Sequence, residues 1–574
     1  GCTGGALMLD LSRLSCVGEA LRDAMVTYKS NVALIEADRH RENARFTYIE
    51  VKREAERIGA LLQEEGVLAS DRVAILMSNQ ARWAMSALGV FWSGAVLVPL
   101  DYKLTSKEQL ALLSHARPQV LITEYSIWRA LHELAPDALA KVRVLVTEAP
   151  AEADLPGASH WQRPATATFV HAERERSDVA CIVYSSGTGG TPKGCMLTHD
   201  NYLEQAQVLG RMYPMQEDEL YFSILPTNHA IDFMCGLILP LLFGAAIVHQ
   251  RTLRPEFLAP TMKRYGITHL ALVPRILKAL RERIEAQLAE LPEWQRTAVH
   301  ALTELNDLAT LREPRPWLSR KLLKPIHDRF GGRLKLMFVG GAFVEPELAE
   351  FFYRLGLPVV IGYGLTEACT VLTLNDGKPL RSDTVGRPVP GVELTLRDEN
   401  DEGVGEVYVR GRTVMSGYFE APELTVDAFV DGWLRTGDLG ALDASGHLRL
   451  LGRAKNMIVT EGGKNIYPED IEAAFDAIAC EELCVFAVGY LWPRLGERDE
   501  SLTVVVRPKP DVTQSELVSA LRAANQRLAP WKRVSTYVLY TDEFPRTAST
   551  KVKRAVLAAA LRASSFVTQP LVQL

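Results

Sequence analysis

Short apolar runs alternate with amphipathic stretches through the first part of the chain. Val73–Met77, Ala95–Leu100, Gln119–Thr123 and Val142–Val146 are runs of the kind buried strands present, and Ala81–Trp92 reads as a helix between the first two. Strands separated by helices predict an α/β fold, a parallel sheet with helices on its faces. Residues 148–177, rich in Ala, Pro and charge, predict a loop. Val179–Val183 then reads as a buried strand, Asp200–Leu209 as a helix and Leu220–Leu225 as a strand. Phe233–Val248 runs 16 residues without a charge. That falls short of the roughly 20 residues a spanning helix needs. Pro240 and Gly244 also interrupt it, so it predicts a buried helix turning into a buried strand. Ile276, Leu277, Leu280, Ile284 and Leu288 repeat at helical spacing, opening a long charged segment that reaches Arg333. Leu336–Ala342 and Val359–Glu367 read as strands, and from Thr384 to Leu451 the texture changes to short alternating strands. The expected architecture is a large N-terminal domain, 1–452, of parallel sheets with flanking helices and a small β-barrel-like subdomain near 384–451. A small mobile α+β C-terminal domain, 453–574, follows it.

A chain of 574 residues with 47% hydrophobic content has room for more than one core. A net charge of −6 argues against a general affinity for nucleic acid. The eight cysteines show no framework spacing, which suits a reducing, cytoplasmic setting. Cys480 and Cys484 have the spacing to share a helical face, but no second Cys pair or His cluster nearby completes a zinc site, so a structural role is expected. No secretory pattern opens the sequence at Gly1-Cys2-Thr3. Peripheral membrane contact stays open.

The densest candidate chemistry lies between Tyr184 and Gly194. Ser185, Ser186 and Thr188 alternate with Gly187, Gly189 and Gly190, and Thr191, Pro192 and Lys193 follow. Glycines let backbone N–H groups close around a phosphate, because no Cβ blocks the approach. The hydroxyls add donors and Lys193 adds positive charge, which together make a cradle for a polyphosphate. The common nucleotide-binding loop has Gly directly before its Lys, where this chain has Pro192. The same composition also serves as a plain turn. The stretch resembles the phosphate-binding loop of the adenylate-forming (ANL) superfamily, which holds acyl-CoA synthetases, peptide-synthetase adenylation domains and luciferases. The family usually carries a hydroxyl residue where Gly189 stands.

Further motifs carry the resemblance in order, six in all between about residues 30 and 560. His229 follows a strand end, where open α/β sheets place ligands. By resemblance the Pro226–His229 segment lines the acyl pocket. His229 and Phe233 become pocket residues, and Phe233 is the nearest match to an aromatic gate found in some long-chain synthetases. Gly341 and Ala342 would back the adenine and Tyr363 would stack on it, a flat apolar ring suiting that role. Thr366 would meet the α-phosphate. Glu367, with Thr188, would hold Mg²⁺, which requires hard oxygen ligands. Gly364, beside Tyr363 at the nucleotide, stands where acetate-specific relatives close the acyl pocket with Trp, so glycine implies an open pocket. Asp438 would accept from the ribose hydroxyls, with Arg453 nearby and Lys455 as the pivot between domains. Gly463 and Lys464, after Gly462, belong to a loop presented to the incoming thiol. Lys551 would be the catalytic lysine, with Thr550 in place of the usual glycine.

The resemblance implies a two-step, AMP-forming acid–thiol ligase. A medium- to long-chain fatty acid reacts with ATP and Mg²⁺ to give an acyl-adenylate, which then passes its acyl group to coenzyme A. The Val273-Pro274-Arg275 start and the helical insertion after it resemble long-chain acyl-CoA synthetases. Transfer to an acyl carrier protein, activation of an aryl or amino acid, and a non-catalytic nucleotide-binding protein are the alternatives. Expected partners are the acid, ATP and CoA, with a carrier protein, a homodimer or a membrane surface in addition, and no nucleic acid.

Overall fold

The computed structural model describes residues 9–185, 192–340, 344–459, 464–493, 500–547, 551–564 and 566–571. Its N-terminal part is built on two large sheets. In the first, Val359–Tyr363, Leu336–Val339, His269–Leu272, Leu220–Ser223, Ala246–Gln250 and Val32–Ala37 lie parallel in that order. The antiparallel strand Glu42–Thr47 forms one edge. In the second, Val179–Tyr184, Val96–Pro99, Arg72–Leu76, Val120–Glu124, Arg143–Thr147 and Ala158–His160 lie parallel. Gly194–Thr198 returns antiparallel beside Tyr184.

The core strands are apolar on both faces because helices cover both. The helix Ala81–Trp92 contacts strands of both sheets, and Trp83, Phe91 and Trp92 on it are fully buried. The uncharged stretch forms helical turns from Ala230 to Leu242, with a π-helical turn at Met234–Ile238, and then the strand Ala246–Gln250. Among the described residues no helix is long and apolar enough to cross a membrane. The charged segment after Leu272 folds as the helices Pro274–Ala289, Glu293–Thr310, Pro316–Leu322 and Lys324–Arg329. The expected loop at 148–177 contains one short strand, Ala158–His160, which extends the second sheet.

A five-stranded sheet follows, containing Glu393–Arg397, Gly405–Arg410, Trp433–Leu442 and Leu448–Arg453. Its pairings are antiparallel. Near the C-terminus, Cys480–Ala487, Leu502–Pro508, Thr536–Leu539 and Gln569–Pro570 make a separate sheet. Side chains alternate across it with the period of two that a strand imposes. Val485, Val504 and Val506 pack with Leu517 and Leu521 on one face, while Cys484, Phe486 and Val505 pack with Leu557 and Leu561 on the other. Cys480 and Cys484 therefore lie on a strand rather than a helix, and both are buried.

Candidate active site

The strand Val179–Tyr184 leads into the Gly- and hydroxyl-rich stretch. The Ser185 N–H donates to the Lys193 carbonyl at 3.0 Å, closing the base of the loop. Ser186, Gly187, Thr188, Gly190 and Thr191, like Gly189, lie outside the described residues. Lys193 stands 5.7 Å from the centre of the Tyr418 ring. The Tyr418 hydroxyl donates to the Glu367 carboxylate at 3.2 Å. Burial, with Glu367 beside it, holds that phenol well above its ordinary range. It therefore stays protonated and fixes the carboxylate.

The strand Val359–Tyr363 supplies the other half. The Tyr363 hydroxyl donates to Asp438 Oδ2 at 2.5 Å, and Arg453 Nη1 donates to Asp438 Oδ1 at 2.6 Å. Asp438 is buried on the strand Trp433–Leu442. Each carboxylate oxygen has two acceptor positions, so both keep one for a further donor such as a ribose hydroxyl. Tyr363 is likewise buried, and its phenol is raised well above its usual range by desolvation and by Asp438. Thr366 and Glu367 lie on a single 3₁₀ turn just beyond.

Gly364 answers a different demand from the one its sequence position suggests. A Cβ there would come within 1.5 Å of the Thr370 carbonyl oxygen. Close backbone approach thus requires glycine, and the residue alone does not argue for a longer acyl pocket. Gly341 and Ala342 lie outside the described residues.

Lys551 comes from the C-terminal sheet region and reaches this same cleft. Its side chain keeps solvent contact yet is surrounded by enough protein that desolvation lowers its pKa. The negative charges of Asp438 and Glu367 act against that lowering, and Arg453 adds to it. Lys455 points toward the same place. Desolvation lowers it first, then the cationic Arg453 and Lys193, with Glu469 and Asp438 opposing. Lys464 lies 4.8 Å from the Trp531 ring centre, while Gly462 and Gly463 lie outside the described residues.

The loop that presents Lys551 is held by a residue that sequence reasoning missed. Glu482 is buried on the strand Cys480–Ala487. It accepts from the Phe544 N–H at 3.0 Å, Arg546 Nε at 2.7 Å and Arg507 Nε at 2.7 Å. Burial alone would raise its pKa, but these donors lower it. The Thr547 N–H then donates to the Lys551 carbonyl at 2.7 Å, and the Lys551 N–H donates back to Thr547 Oγ1 at 3.1 Å. Contacts to the inserted helix Pro274–Ala289 secure the C-terminal region from the other side. Lys278 Nζ donates to the Asp476 carbonyl at 2.6 Å, and Lys509 pairs with Glu282 at 3.0 Å.

His229 stands at the N-cap position of the helix Ala230–Phe233, with no cap hydrogen bond from its side chain. Its Nε2 lies 2.9 Å from Asp101 Oδ2, beyond the end of Val96–Pro99 in the second sheet. Asp101 was not legible as a site residue because its partner is 128 positions away. Phe233 is 3% exposed and boxed by Trp83, Phe91 and Tyr202. It packs in the core and does not line the nearby cavity. That cavity, about 30 Å³, is apolar and lined by Leu209, Tyr213, Tyr221, Cys235, Phe338 and Leu374, among others. Beside its wall, Asp232 accepts from the Ser223 hydroxyl at 2.7 Å and the Tyr221 hydroxyl at 3.1 Å, and burial pushes its pKa up to about 7.

The donor set fits a nucleotide polyphosphate. Lys193, Arg453, Lys455 and Lys551 crowd around two carboxylates, and cations this close to each other suit a polyanion between them. It also fits Mg²⁺, which usually takes one or two carboxylates and fills the rest of its shell with phosphate oxygens and water. Among the described residues no group of three or more His, Cys, Asp or Glu could hold a metal by itself. Glu367 is the carboxylate placed for the shared mode.

Residues 21–419 match the family model described as AMP-binding enzyme. The long-chain-fatty-acid–CoA ligase FadD15 of Mycobacterium bovis is 31% identical over 423 residues, covering 71% of this chain and 69% of that protein. A 3-[(3aS,4S,7aS)-7a-methyl-1,5-dioxo-octahydro-1H-inden-4-yl]propanoyl:CoA ligase of Rhodococcus jostii is 29% identical, covering 90% and 94%. Among solved structures, the o-succinylbenzoate CoA synthetase MenE of Bacillus subtilis, bound to ATP and magnesium, superposes with a TM-score of 0.72 at 23% identity, covering 94% of this chain and 98% of that one. Ordered motifs, converged side chains and family model agree: the chain belongs to the AMP-binding enzyme family, the adenylate-forming acid–thiol ligases that its sequence resembles.

Proposed function

We propose that this enzyme activates a medium- to long-chain fatty acid with ATP and transfers the acyl group to coenzyme A. The observation that carries the reading is the meeting of Lys551 with Asp438, Arg453 and Glu367 in one cleft. The carboxylate oxygen of the acid attacks the α-phosphorus of ATP. The bond to the β-phosphate oxygen breaks, and pyrophosphate leaves. Lys551 and Lys193 neutralise charge gathering on the phosphoryl oxygens, the kind of preorganised stabilisation that dominates such transfers. Asp438 orients the ribose through its free lone pairs, and Tyr363 and Arg453 hold Asp438 in place. Glu367, with the phosphate oxygens, would hold Mg²⁺, which supplies electrostatic stabilisation of the phosphates when bound. In the second step the thiol sulfur attacks the acyl carbonyl. The bond from that carbon to the phosphate oxygen breaks, and AMP leaves.

We place the domain boundary at 452/453, with the C-terminal domain turning about Lys455 between the two steps. Separate cores on the C-terminal sheet support that division, and domain closures of this kind assemble alternate sites in other enzymes. The fatty-acid preference is supported by the name of the Mycobacterium bovis relative. Pyrophosphate release across a panel of acids, with and without CoA and with products identified by mass spectrometry, tests the reading. Acyl-CoA and AMP formed from longer chains are expected. Acyl-adenylate accumulating despite CoA would point to a carrier-protein acceptor. Turnover confined to aromatic or polycyclic acids would overturn the fatty-acid assignment.

A further inference from the structure

The inserted helix Glu293–Thr310 packs Val299 and Leu302 partly against the core, yet it also carries apolar side chains on its outward side. Its fully buried residues are polar, Asn306 and Thr310. Asn306 Nδ2 donates to the Arg354 carbonyl at 2.9 Å, and Asn306 Oδ1 accepts from Ser319 Oγ at 2.7 Å. Thr310 donates back to the Asn306 carbonyl at 2.8 Å, and its own carbonyl accepts from the Tyr353 hydroxyl at 2.8 Å. The outward side carries an apolar stripe flanked by the exposed Arg296, Thr297, His300 and Glu304. Trp294, Ala298, Ala301, Leu305 and Leu308 follow one another at helical spacing, and all are exposed. Leu311 and Trp317 extend the patch into the next helix. Of the fourteen large apolar side chains exposed among the described residues, these two with Trp294, Leu305 and Leu308 make five, including both tryptophans.

The surrounding charge narrows what would cover this face. The chain carries a net −6, yet the Leu311–Trp317 side of the face is basic: residues 311–324 hold Arg312, Arg315, Arg320, Lys321 and Lys324 against the single acid Glu313, while the exposed acids Glu290 and Glu293 stand at the Trp294 end. Arg312, Arg315 and Lys321 are exposed. The acids of the neighbouring helix are engaged, since Glu304 and Asp307 both pair with Arg354. Lys324 pairs with Asp328 and Arg320 donates to the backbone carbonyl of Arg333, so both cations are already engaged within the fold. Exposed Trp and Leu rimmed by Arg and Lys is the composition of a surface that seats in the headgroup region of a bilayer.

We propose that the face formed by Trp294, Leu305, Leu308, Leu311 and Trp317, with Arg312, Arg315 and Lys321 at its rim, docks on an anionic lipid surface. The apolar side chains enter the headgroup boundary and the cations meet lipid phosphates. This lies apart from the active site and does not depend on which acid the enzyme takes.

Co-sedimentation of the full chain with vesicles of phosphatidylglycerol and phosphatidylcholine tests it. The unaltered protein binds the mixed vesicles, more weakly as salt rises, and binds pure phosphatidylcholine less. The triple variant Trp294→Gln, Leu308→Gln, Trp317→Gln weakens binding by about tenfold or more. Arg312→Glu with Arg315→Glu weakens it by at least about fivefold for each cation lost. Turnover of a short, water-soluble acid without vesicles reports folding and chemistry separately, and stays unchanged in both variants. No vesicle binding by the unaltered protein, or equal binding by the variants, would overturn the proposal. So would a dimer in sedimentation velocity that the triple variant dissociates, since a second copy would then be what covers the face.

Discussion

Replacing Lys551 removes a cation that the C-terminal region contributes beside Asp438 and Glu367, in addition to Arg453 and Lys455. Lys551→Met keeps most of the side-chain volume and deletes the charge. The cleft around Lys551 is desolvated but still reached by solvent. An effective dielectric near 20 is therefore appropriate, and a unit charge about 5 Å from developing phosphoryl charge is worth roughly 3 kcal/mol. That corresponds to a loss of about 10²–10³ in the adenylation rate. The assay separates the half-reactions. Pyrophosphate release in single turnover reads the first, and acyl-CoA formation from supplied acyl-adenylate reads the second. The first should fall by that factor while the second stays within about threefold of the unaltered enzyme, a barrier change of under about 1 kcal/mol. Because desolvation lowers the lysine's pKa, its charge is lost at a lower pH than for an exposed lysine. The alkaline limb of adenylation should accordingly lie below the ordinary lysine range and vanish in Lys551→Met. Adenylation near the unaltered rate, or an equal fall in both half-reactions, would refute the reasoning.

The contacts around the site set three further expectations. Glu482→Gln leaves Arg507 and Arg546 facing a neutral buried group, so thermal unfolding should show a loss of about 3–5 kcal/mol and adenylation should slow more than thioester formation; a stability loss with both half-reactions unchanged would make Glu482 structural only. Lys278→Ala with Glu282→Ala removes the contacts to Asp476 and Lys509, so adenylation should fall relative to thioester formation, read as the ratio of the two single-turnover rates, and an unchanged ratio would show that these contacts do not set the arrangement. Asp232 has its pKa raised from 3.8 to about 7, so the folded state holds its proton more tightly than the unfolded one. Its contribution to stability is complete below about pH 4 and is lost as pH rises through about 7. Asp232→Asn should flatten the decline in denaturant midpoint between pH 5 and 8, and a parallel decline in the variant would contradict the assignment.

The strand Arg72–Leu76 and the helix Ala81–Trp92 were legible because local period and burial agree. The helix was legible to the residue. The pairing of Val32–Ala37 with Ala246–Gln250 was not, since it joins segments more than two hundred positions apart. Motif residues were readable where resemblance names them: Lys193, Tyr363, Glu367, Asp438, Arg453, Lys455 and Lys551 all converge. Asp101, Asp232 and Glu482 were missed because each is a single acid whose meaning lies in distant or core partners. Gly364 and Phe233 carry constraints that family position does not show, since the Thr370 carbonyl crowds the first and an aromatic core surrounds the second.

The central claim is that the acid's own oxygen attacks the α-phosphorus, and isotope transfer tests that most directly. A fatty acid carrying oxygen-18 in its carboxylate is turned over with ATP and CoA, and the products are weighed. Adenylate chemistry leaves one labelled oxygen on the phosphate of AMP and one in the thioester carbonyl. AMP without label, or label in inorganic phosphate or pyrophosphate instead, would contradict attack at the α-phosphorus.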